Sequence, residues 1–316
     1  MSDLQLTILG SSSAMPVTAK SPTSQFLTLA DRHFLIDCGE GTQVRLRENG
    51  IGFSRINHIF ISHLHGDHFY GLVPLLSTLH LLDREKPVHI YAPAAAEEAV
   101  YHLLKYSGGR IRYPLHFHHL PKGQKALVYE DKAVTVHAFP LEHRMDCFGF
   151  LFAEKLRPRN MRKEKLEEYS IPVAEIRQIK AGADWTDEAG HTIPNKELTT
   201  EAPPPLSYAF CTDTLPLDLK KYLPPVHLLY HEATFKEEHR ERAGQTYHTT
   251  AQQAARVAQK VPAEYLLLGH FSVRYGELDS LLEEARTVFP QSHLAREGNT
   301  FVLKSGHQGV SLEMEE

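Results

Sequence analysis

The chain has 316 residues, of which 42% are hydrophobic and 23% are charged, and its formal net charge at pH 7 is −5. These values are ordinary for a globular protein with one large or two modest domains and ample material for a core. The small negative charge gives no global case for nucleic-acid binding, so such a role would need a local basic patch.

Cysteine usage and apolar runs bear on the compartment. The three cysteines, Cys38, Cys147 and Cys211, are odd in number and lie beside apolar or Gly-rich segments. This pattern does not favour a disulfide framework and fits a reducing compartment. No apolar run approaches the roughly 18 residues of a membrane span, and the N-terminus lacks the pattern of a signal peptide. We therefore predict a cytoplasmic protein without a membrane segment.

The first half of the chain alternates strand-like and helical patterns, which predicts an α/β protein. The predicted elements are, in chain order, strands 5–10, 24–29 and 33–37, helix 42–49, strand 58–62, helix 70–82, strand 88–92, helix 93–106 and strands 115–119, 126–129, 133–139 and 147–154.

The alternation breaks at about Lys155. Residues 155–165 contain six Lys or Arg and one Glu, a local charge of +5. Little of residues 155–205 has the periodicity of a core element, so we predict a protruding insertion at about 154–200.

The α/β pattern then resumes. It predicts strand 207–211, strand 227–230, helix 249–260, strand 265–268 and helix 277–289. We interpret residues 1–304 as one domain that carries the insertion, and residues 305–316 as a loose acidic tail.

The most informative stretch, residues 61–68, reads Ile-Ser-His-Leu-His-Gly-Asp-His. Directly after a predicted strand it places four metal-binding side chains: His63, His65, Asp67 and His68. Three imidazoles and a carboxylate suit Zn²⁺ or a similar borderline cation. The first two can point the same way from extended chain, while the last two lie beyond, on the turn into a helix. The spacing predicts two neighbouring metals; the alternative is a His-rich surface loop in a chain with 21 His.

Three more ligand-type residues lie one to four positions beyond other predicted strands: His143, Asp213 and His270. The carboxyl ends of strands collect ligands in α/β folds, so we expect these side chains to complete the two sites. Each taken alone is more simply a capped strand end or an ordinary buried residue. A carboxylate such as Asp213 can bridge two cations, one on each oxygen.

A second constellation pairs Glu232, at the end of a predicted strand, with His248, at the start of a predicted helix. A Glu can orient and charge an imidazole and so make a general acid. The alternative is that Thr249 or Thr250 caps the helix and His248 merely precedes it. A further cluster, His116, His118 and His119, is a second candidate for metal binding. The simpler interpretation is that these residues lie on the exposed face of a strand.

With these residues identified, the chain resembles ribonuclease Z (tRNase Z), the 3′-tRNA-processing endonuclease branch of the metallo-β-lactamase fold, from about residue 6 to 303. The segments that carry the resemblance are residues 34–43, 61–72, 211–214, 231–235, 248–255 and 269–275. The H-x-H-x-D-H run marks only the superfamily, which includes lactamases, glyoxalase II-like thioesterases and lactonases. The E-G-T-Q, H-E-A-T and H-F-S-x-R-Y segments are much more specific to ribonuclease Z.

The resemblance implies an αββα sandwich of two mixed β-sheets flanked by helices, with a protruding arm at about 154–200. It implies two Zn²⁺ per subunit. The first would be held by His63, His65, His143 and Asp213, and the second by Asp67, His68, Asp213 and His270.

The resemblance also implies roles outside metal binding. Asp67 would accept a proton from the attacking water, His248 with Glu232 would serve the leaving group, and Asp37 would orient a ligand histidine. The arm would grip the body of the tRNA. The implied substrate-binding residues are Arg274, Lys155, Arg157, Arg159, Arg162, Lys163 and Lys165.

The expected reaction is hydrolysis of one phosphodiester of precursor tRNA, giving a tRNA 3′-hydroxyl and a 5′-phosphorylated trailer. A homodimer is implied, in which the arm of one subunit reaches the site of the other. One alternative is a hydrolase of the same fold acting on a small phosphodiester, thioester or lactone, which would need no basic arm. The other is a non-catalytic RNA-binding protein with structural zinc, which would need no acid pair.

Two segments depart from the family pattern. Many members carry a Pro-x-Lys-x-Arg-Asn-like loop after the first strand, whereas here Pro16 is followed by Val-Thr-Ala-Lys20. Lys20 is a candidate substitute for the missing contacts. The arm lacks the Gly-Pro signature of some relatives and reads Ile-Pro-Val-Ala-Glu at 171–175.

Overall fold

The computed structural model describes residues 3–15, 17–18, 20–107, 111–306 and 309–315. Its strands are β1 (Asp3–Gly10), β2 (Ser24–Leu29), β3 (Arg32–Ile36), β4 (His58–Phe60), β5 (Val88–Ala92), β6 (Leu115–His119), β7 (Ala126–Glu130), β8 (Val134–Leu141), β9 (Cys147–Glu154), β10 (Asn160–Met161), β11 (Trp185–Thr186), β12 (Thr192–Ile193), β13 (Thr199–Thr200), β14 (Ser207–Cys211), β15 (Val226–Glu232), β16 (Ala263–Gly269), β17 (Ser292–Leu294), β18 (Thr300–Gly306) and β19 (Gly309–Glu315).

The α-helices of these residues are α1 (Thr42–Glu48), α2 (Gly66–Phe69), α3 (Leu72–Leu81), α4 (Ala95–Tyr106), α5 (Lys163–Glu168), α6 (Val173–Lys180), α7 (Asn195–Leu198), α8 (Arg240–Thr246), α9 (Ala251–Lys260) and α10 (Asp279–Arg286). Within the described part of the chain, none of these helices combines the length and apolar character needed to cross a membrane.

Two large mixed sheets organise the chain. The first has the strand order β19-β18-β1-β2-β3-β4-β5-β6, with β3 to β6 parallel and the other neighbours antiparallel. The second has the order β17-β16-β15-β14-β9-β8-β7, with β14 to β17 parallel. Each sheet therefore joins a parallel half to an antiparallel half.

Aromatic side chains fill the space between the two sheets. Phe34 of the first sheet packs on Phe152 of the second, with ring centroids 5.2 Å apart, and Phe60 packs on Phe150 at 5.3 Å. The neighbouring Leu35 points the other way, into the apolar layer beneath the helices of the first sheet. The central parallel strands, such as β4 and β14, are thus buried on both faces, which is why they read as continuous apolar runs.

The outer face of the second sheet is covered by α9 and α10. Ala254, Ala255 and Ala258 of α9 are fully buried, and their small side chains let the helix lie close to the sheet. Thr250 begins α9 with a capping box, accepting from the amide of Gln253, whose side chain accepts from the amide of Thr250. Helices thus cover both sheets, and the predicted αββα sandwich is confirmed.

The insertion lies between β9 and β14, which are antiparallel neighbours with Ala153 opposite Ser207. The chain therefore leaves and re-enters the sheet at nearly the same place. Although the sequence here shows little of the periodicity of a core element, residues 160–200 form short helices and strands around an apolar cluster of their own: Ile171, Ile179, Ile193 and Leu198. These elements are too short to show a helical or strand period in the sequence. Substrate binding by this segment stays a prediction.

The prediction of a loose tail is wrong. Ser305, where the tail was predicted to begin, lies within β18. Gly309–Glu315 forms β19, an edge strand that pairs antiparallel with β18 from Thr300 to Gly306. From Gly309 to Glu313 the strand alternates exposed residues with the half-buried Val310 and Leu312, and its two glutamates are exposed. Its acidic composition hides a period-two strand, because edge strands are commonly charged on the solvent side.

Candidate metal centre and active site

The metal-type motif lies on a tight connection between β4 and α3. The amide of Cys38, in the turn after β3, donates to the carbonyl of His68 at 2.8 Å, and the amide of Gly71 donates to the carbonyl of Cys38 at 2.9 Å. A Cβ at Gly71 would lie 2.0 Å from the carbonyl oxygen of Gly39. Glycine therefore permits the backbone of the motif to rest directly on the turn after β3.

Asp37 orients the motif from below. Its fully buried carboxylate accepts hydrogen bonds from the amide and hydroxyl of Ser62 at 2.7 and 2.8 Å and from Nδ1 of His68 at 2.6 Å. The Ser62 hydroxyl, which donates to Asp37, accepts in turn from Nδ1 of His63 at 3.0 Å. Asp37 thus fixes two imidazoles at once, one directly and one through a serine.

The first ligand cluster contains four side chains brought from three parts of the chain: His63, His65, His143 and Asp213. Nδ1 of His65 lies 3.0 Å from Nε2 of His63 and 3.3 Å from Nε2 of His143. Oδ2 of Asp213 lies 3.6 and 3.8 Å from the same two Nε2 atoms. The ligands of a tetrahedral Zn²⁺ at about 2.0–2.1 Å lie roughly 3.3 Å apart, so these separations fit one ion.

The second cluster contains Asp67, His68 and His270. The two Nε2 atoms are 3.3 Å apart, and Oδ2 of Asp67 lies 3.5 Å from the first and 3.4 Å from the second. Oδ1 of Asp213 completes it, at 3.3 Å from His68 and 3.1 Å from His270. Asp213 therefore offers one oxygen to each cluster, as expected of a residue that bridges two cations.

The hydrogen-bond partners of the imidazoles test whether the clusters fit metal. His63, His68 and His143 each donate Nδ1–H to a fixed acceptor, for His143 the carbonyl of Tyr247 at 3.3 Å. His270 does the same to the hydroxyl of Thr234 at 3.0 Å. With a cation bound, all four would therefore present an unprotonated Nε2 to the interior. Lone pairs held about 3 Å apart repel unless a cation lies between them, so the donor set fits metal ligation.

The pKa values of the ligand-type residues depend on their burial and on one another's charges. Burial, aided by the charge of His68, lowers the pKa of His63 well below its ordinary value. Burial alone would raise the pKa of Asp213, but His270, His68 and His63 outweigh it and hold that pKa well below its ordinary value. Asp67 likewise keeps a lowered pKa against its burial, chiefly because of His68. The two carboxylates are thus anionic, as cation ligands must be.

Three residues of the centre adopt left-handed backbone conformations: Asp37 with φ of 56°, Asp213 with 37° and His270 with 56°. Such conformations cost about 1–3 kcal/mol each in non-glycine residues and persist where the surrounding structure enforces them. They turn the chain sharply just beyond the ends of β3, β14 and β16.

The acid pair lies beside the second cluster. Nδ1 of His248 lies 3.0 Å from Oε1 of Glu232, which also accepts from the amide of Thr214 at 2.8 Å. Burial would lower the pKa of His248, but the charge and hydrogen bond of Glu232 outweigh it and raise that pKa to about 9. Thr250 caps α9 as the alternative interpretation held, yet His248 pairs with Glu232 as well. The two interpretations are compatible.

Thr234 connects the acid pair to the second cluster, and the sequence did not single it out. Its hydroxyl donates to Oε2 of Glu232 at 2.5 Å and accepts from Nδ1 of His270. The side chain is buried. The H-E-A-T segment contained this residue, but its role depends on a partner 36 positions away.

The two clusters open into a cavity of about 600 Å³. Two prominent lining residues were missed from the sequence, the exposed Tyr70 and Arg144. Arg144 directly follows His143, and a cation next to a candidate ligand was the available signal. Arg274, predicted to position substrate, instead lies over the ring of Phe235 at 5.2 Å and does not line this cavity.

The predicted basic arm residues are largely engaged within the protein. Five of the six have polar partners: Lys155 with Glu130, Arg157 with Glu154, Arg159 with Thr199, Arg162 with the carbonyl of Thr199, and Lys165 with Glu168. Lys163 has no such partner among the described residues. The structure places this run on the arm and away from the metal cavity.

Two weaker candidates take other roles. Nε2 of His119 pairs with Glu97 at 2.7 Å, and in the described ranges no three-ligand group includes His116, His118 or His119. Lys20 donates to the backbone carbonyl of Tyr275 at 2.9 Å. Its neighbour Pro16 lies outside the described residues.

Comparisons with known proteins agree with this geometry. Residues 4–156 match the family model described as anti-Pycsar protein Apyc1. A ribonuclease Z of Bacteroides fragilis is 46% identical over 94% of this chain and 98% of its own, and one of Porphyromonas gingivalis is 44% identical over the same shares. The crystal structure of human tRNase Z, short form, aligns with a TM-score of 0.70 and 25% identity over 96% of this chain and 99% of that chain. The similarity spans both halves of the site and the insertion between them.

Proposed function

We propose, on the premise that this chain belongs to the ribonuclease Z family, that it removes the 3′ trailer from precursor tRNA by hydrolysing one phosphodiester. The observation that carries the proposal is the convergence of seven ligand-type side chains on two adjacent points, with Asp213 between them. Paired cations beside an acid suit a hydrolase that acts on a phosphodiester of a polyanionic substrate.

The first cation would be held by His63, His65, His143 and Asp213, and the second by Asp67, His68, Asp213 and His270. We infer Zn²⁺ from the predominance of imidazole ligands and the tetrahedral spacing of the first cluster. When bound, the two ions supply Lewis-acid stabilisation of the phosphoryl oxygens and acidify the attacking water.

The proton chemistry belongs to residues of the chain. Asp67, anionic and steadied by the amide of Ala14 at 2.7 Å, accepts the proton of the attacking water. His248 carries a proton at neutral pH and presents Nε2–H to the cavity, because its Nδ1 faces Glu232. That proton passes to the 3′ oxygen of the tRNA as its bond to phosphorus breaks, and the trailer keeps the phosphate.

The arm is proposed to hold the tRNA body. Support comes from a groove of about 740 Å³ on the arm, where Arg157, Arg159, Arg177 and Lys180 surround exposed apolar side chains. Arginine and lysine beside apolar surface suit phosphates and sugars together. The two cations of α6 add to those of the predicted basic run. We further infer a cytoplasmic homodimer, in which the arm of one subunit reaches substrate bound at the other.

The test is to incubate the zinc-loaded protein with a 3′-extended precursor tRNA and to map the product ends. We expect one cut after the discriminator base, giving a tRNA 3′-hydroxyl. Asp67→Ala and His248→Ala should each lower the cleavage rate by at least a hundredfold while tRNA binding persists. The exposed Arg256→Ala on α9 is the matched control. Near-wild-type rates in either active-site variant would overturn the assigned roles.

The arm distinguishes this reaction from that of a small-substrate hydrolase. If the protein turned over only a small phosphodiester and left precursor tRNA intact, the metal centre would stand and the substrate assignment would fall. The acid pair argues equally against a structural zinc protein, because a structural site is closed and needs no proton donor. The 600 Å³ cavity beside the clusters leaves them open.

A further inference from the structure

Arg144 stands apart from the other side chains of the metal cavity. Of the described residues that line the cavity, it alone carries a permanent positive charge. Among the described residues, no carboxylate lies within ion-pairing distance of its guanidinium. The arm cations, by contrast, are largely paired. An unpaired arginine beside a substrate cavity is available to an anion from outside the protein.

The guanidinium is nevertheless held in place. Its Nη2 donates to the carbonyl of Gln245 at 3.0 Å, and its Cζ lies 5.8 Å from the ring centroid of Tyr247. The carbonyl of Tyr247 also receives Nδ1–H of His143, so one residue steadies both the arginine and the adjacent ligand. A guanidinium has five N–H donors, and this one uses a single donor within the protein.

Arg144 lies on the side of the cavity that holds the acid. The ring of His143 is 5.6 Å from that of His248 and 6.4 Å from that of Tyr247, measured between centroids. In the proposed reaction His248 protonates the 3′ oxygen of the tRNA, so the tRNA strand must leave the scissile phosphate on this side. The next phosphate along that strand then comes towards Arg144, while the trailer leaves on the other side.

We propose that Arg144 binds the phosphate immediately 5′ of the discriminator nucleotide and thereby sets the register of cleavage. This inference rests on the proposed function and deepens it by assigning one substrate contact. Arg144 is a substrate-positioning residue that touches no reacting atom. Its removal should therefore affect precursor tRNA far more than a substrate that lacks flanking phosphates.

The first measurement compares Arg144→Gln with wild type on precursor tRNA and on bis(p-nitrophenyl) phosphate. We expect kcat/KM for precursor tRNA to fall about ten- to a hundredfold, the effect of one hydrogen bond to a charged group. The loss on the small diester should be at least fivefold less. The slope of log kcat/KM against log salt should become shallower by about 0.7, one phosphate contact. A purely structural role would not move that slope.

Arg256→Gln, which removes an equal charge on α9, is the matched control. It should match wild type in kcat/KM for precursor tRNA, in kcat/KM for the small diester and in the salt slope. Equal losses on both substrates would overturn the inference and place Arg144 in the chemistry or in folding.

A second measurement leaves the protein unchanged and neutralises single phosphates of the substrate with methylphosphonate linkages. Neutralising the phosphate 5′ of the discriminator should slow wild type about as much as Arg144→Gln does, and should cost the variant almost nothing more. The inference would be overturned if Arg144→Gln were non-additive with neutralisation of the trailer-side phosphate, or additive with neutralisation of either phosphate. Absence of tRNA cleavage by wild type would instead refute the proposed function, so the two failures are distinct.

Discussion

Replacement of Thr234 by valine tests whether the acid pair and the second metal cluster are mechanically linked. Valine keeps the shape of threonine and removes only the hydroxyl. That hydroxyl donates to Glu232 at 2.5 Å and accepts from Nδ1 of His270 at 3.0 Å, in a buried position. The substitution therefore deletes two hydrogen bonds without opening a cavity.

The expected magnitude follows from what is left behind. The Nδ1–H of His270 becomes a buried donor without an acceptor, which costs about 1–3 kcal/mol, and Glu232 loses a hydrogen bond to a charged group, about 1.5–3 kcal/mol. The free energy of unfolding of the metal-free protein should thus fall by about 2.5–6 kcal/mol. With the ring of His270 no longer held, the affinity of the second cluster for its Zn²⁺ should fall about 10–100-fold.

Denaturant unfolding of the metal-free protein and zinc titration against a chromogenic chelator measure these two quantities. Thr234→Ser, which keeps the hydroxyl, should restore zinc affinity to within about threefold of wild type, since the methyl group makes no hydrogen bond. If Thr234→Val bound both ions with wild-type affinity, the hydroxyl would not orient His270 and the link would be refuted.

Three further predictions concern packing, protonation and metal. Gly71→Ala places a Cβ 2.0 Å from the carbonyl oxygen of Gly39, so we expect the free energy of unfolding to fall by about 3 kcal/mol in denaturant titration. Burial, then the charge of His89, lowers the pKa of His58 to about 4. The folded chain therefore binds fewer protons than the unfolded chain between pH 6.5 and 4, and stability is lost as the pH falls through that window. His58→Gln should remove up to about 3 kcal/mol of that loss, measured as the difference in unfolding curves. Chelation should abolish cleavage of precursor tRNA and lower the melting temperature, and added Zn²⁺ should restore both.

Matched controls accompany these changes. Gly276→Ala should leave stability nearly unchanged, because an added Cβ there meets no atom within 4 Å. His102→Gln, at a solvent-exposed position, is the matched control for His58→Gln. Wild-type stability of Gly71→Ala would contradict the close approach of the two backbones. An unchanged pH profile of His58→Gln would contradict the burial of that imidazole, and full activity in excess chelator would contradict the metal centre.

Local features of the chain were predictable because their causes are local. The apolar runs of the parallel strands predicted the α/β class, since a strand buried on both faces must be apolar throughout. The run at 63–68 predicted ligand chemistry because its four residues are held together by the chain itself. The resemblance to ribonuclease Z, drawn from segments such as residues 231–235, is confirmed by the relatives at 44–46% identity.

Composition and structure diverge in two segments. An acidic tail contained a period-two edge strand, and a basic insertion contained a small core of four apolar residues. In both segments charged residues outnumber the few apolar positions that decide the fold. Arg274 was predicted from its motif to contact substrate; its side chain packs on Phe235, and the substrate contact stays a prediction. A motif fixes the position of a residue along the chain and leaves the direction of its side chain open.

The sequence by itself determined the α/β class and the residue types that can hold metal, because periodicity and short-range spacing are properties of neighbouring residues. Its resemblance to ribonuclease Z determined the family and implied the αββα arrangement. Only the tertiary structure decided that Asp213 turns one oxygen to each cluster and that Thr234 joins Glu232 to His270. It also decided that Arg144, alone among the described residues that line the cavity, brings an unpaired cation to it. These contacts join strand ends far apart in the chain. Their geometry depends on how two twisted sheets pack and on left-handed turns at the strand ends, which spacing along a sequence does not encode.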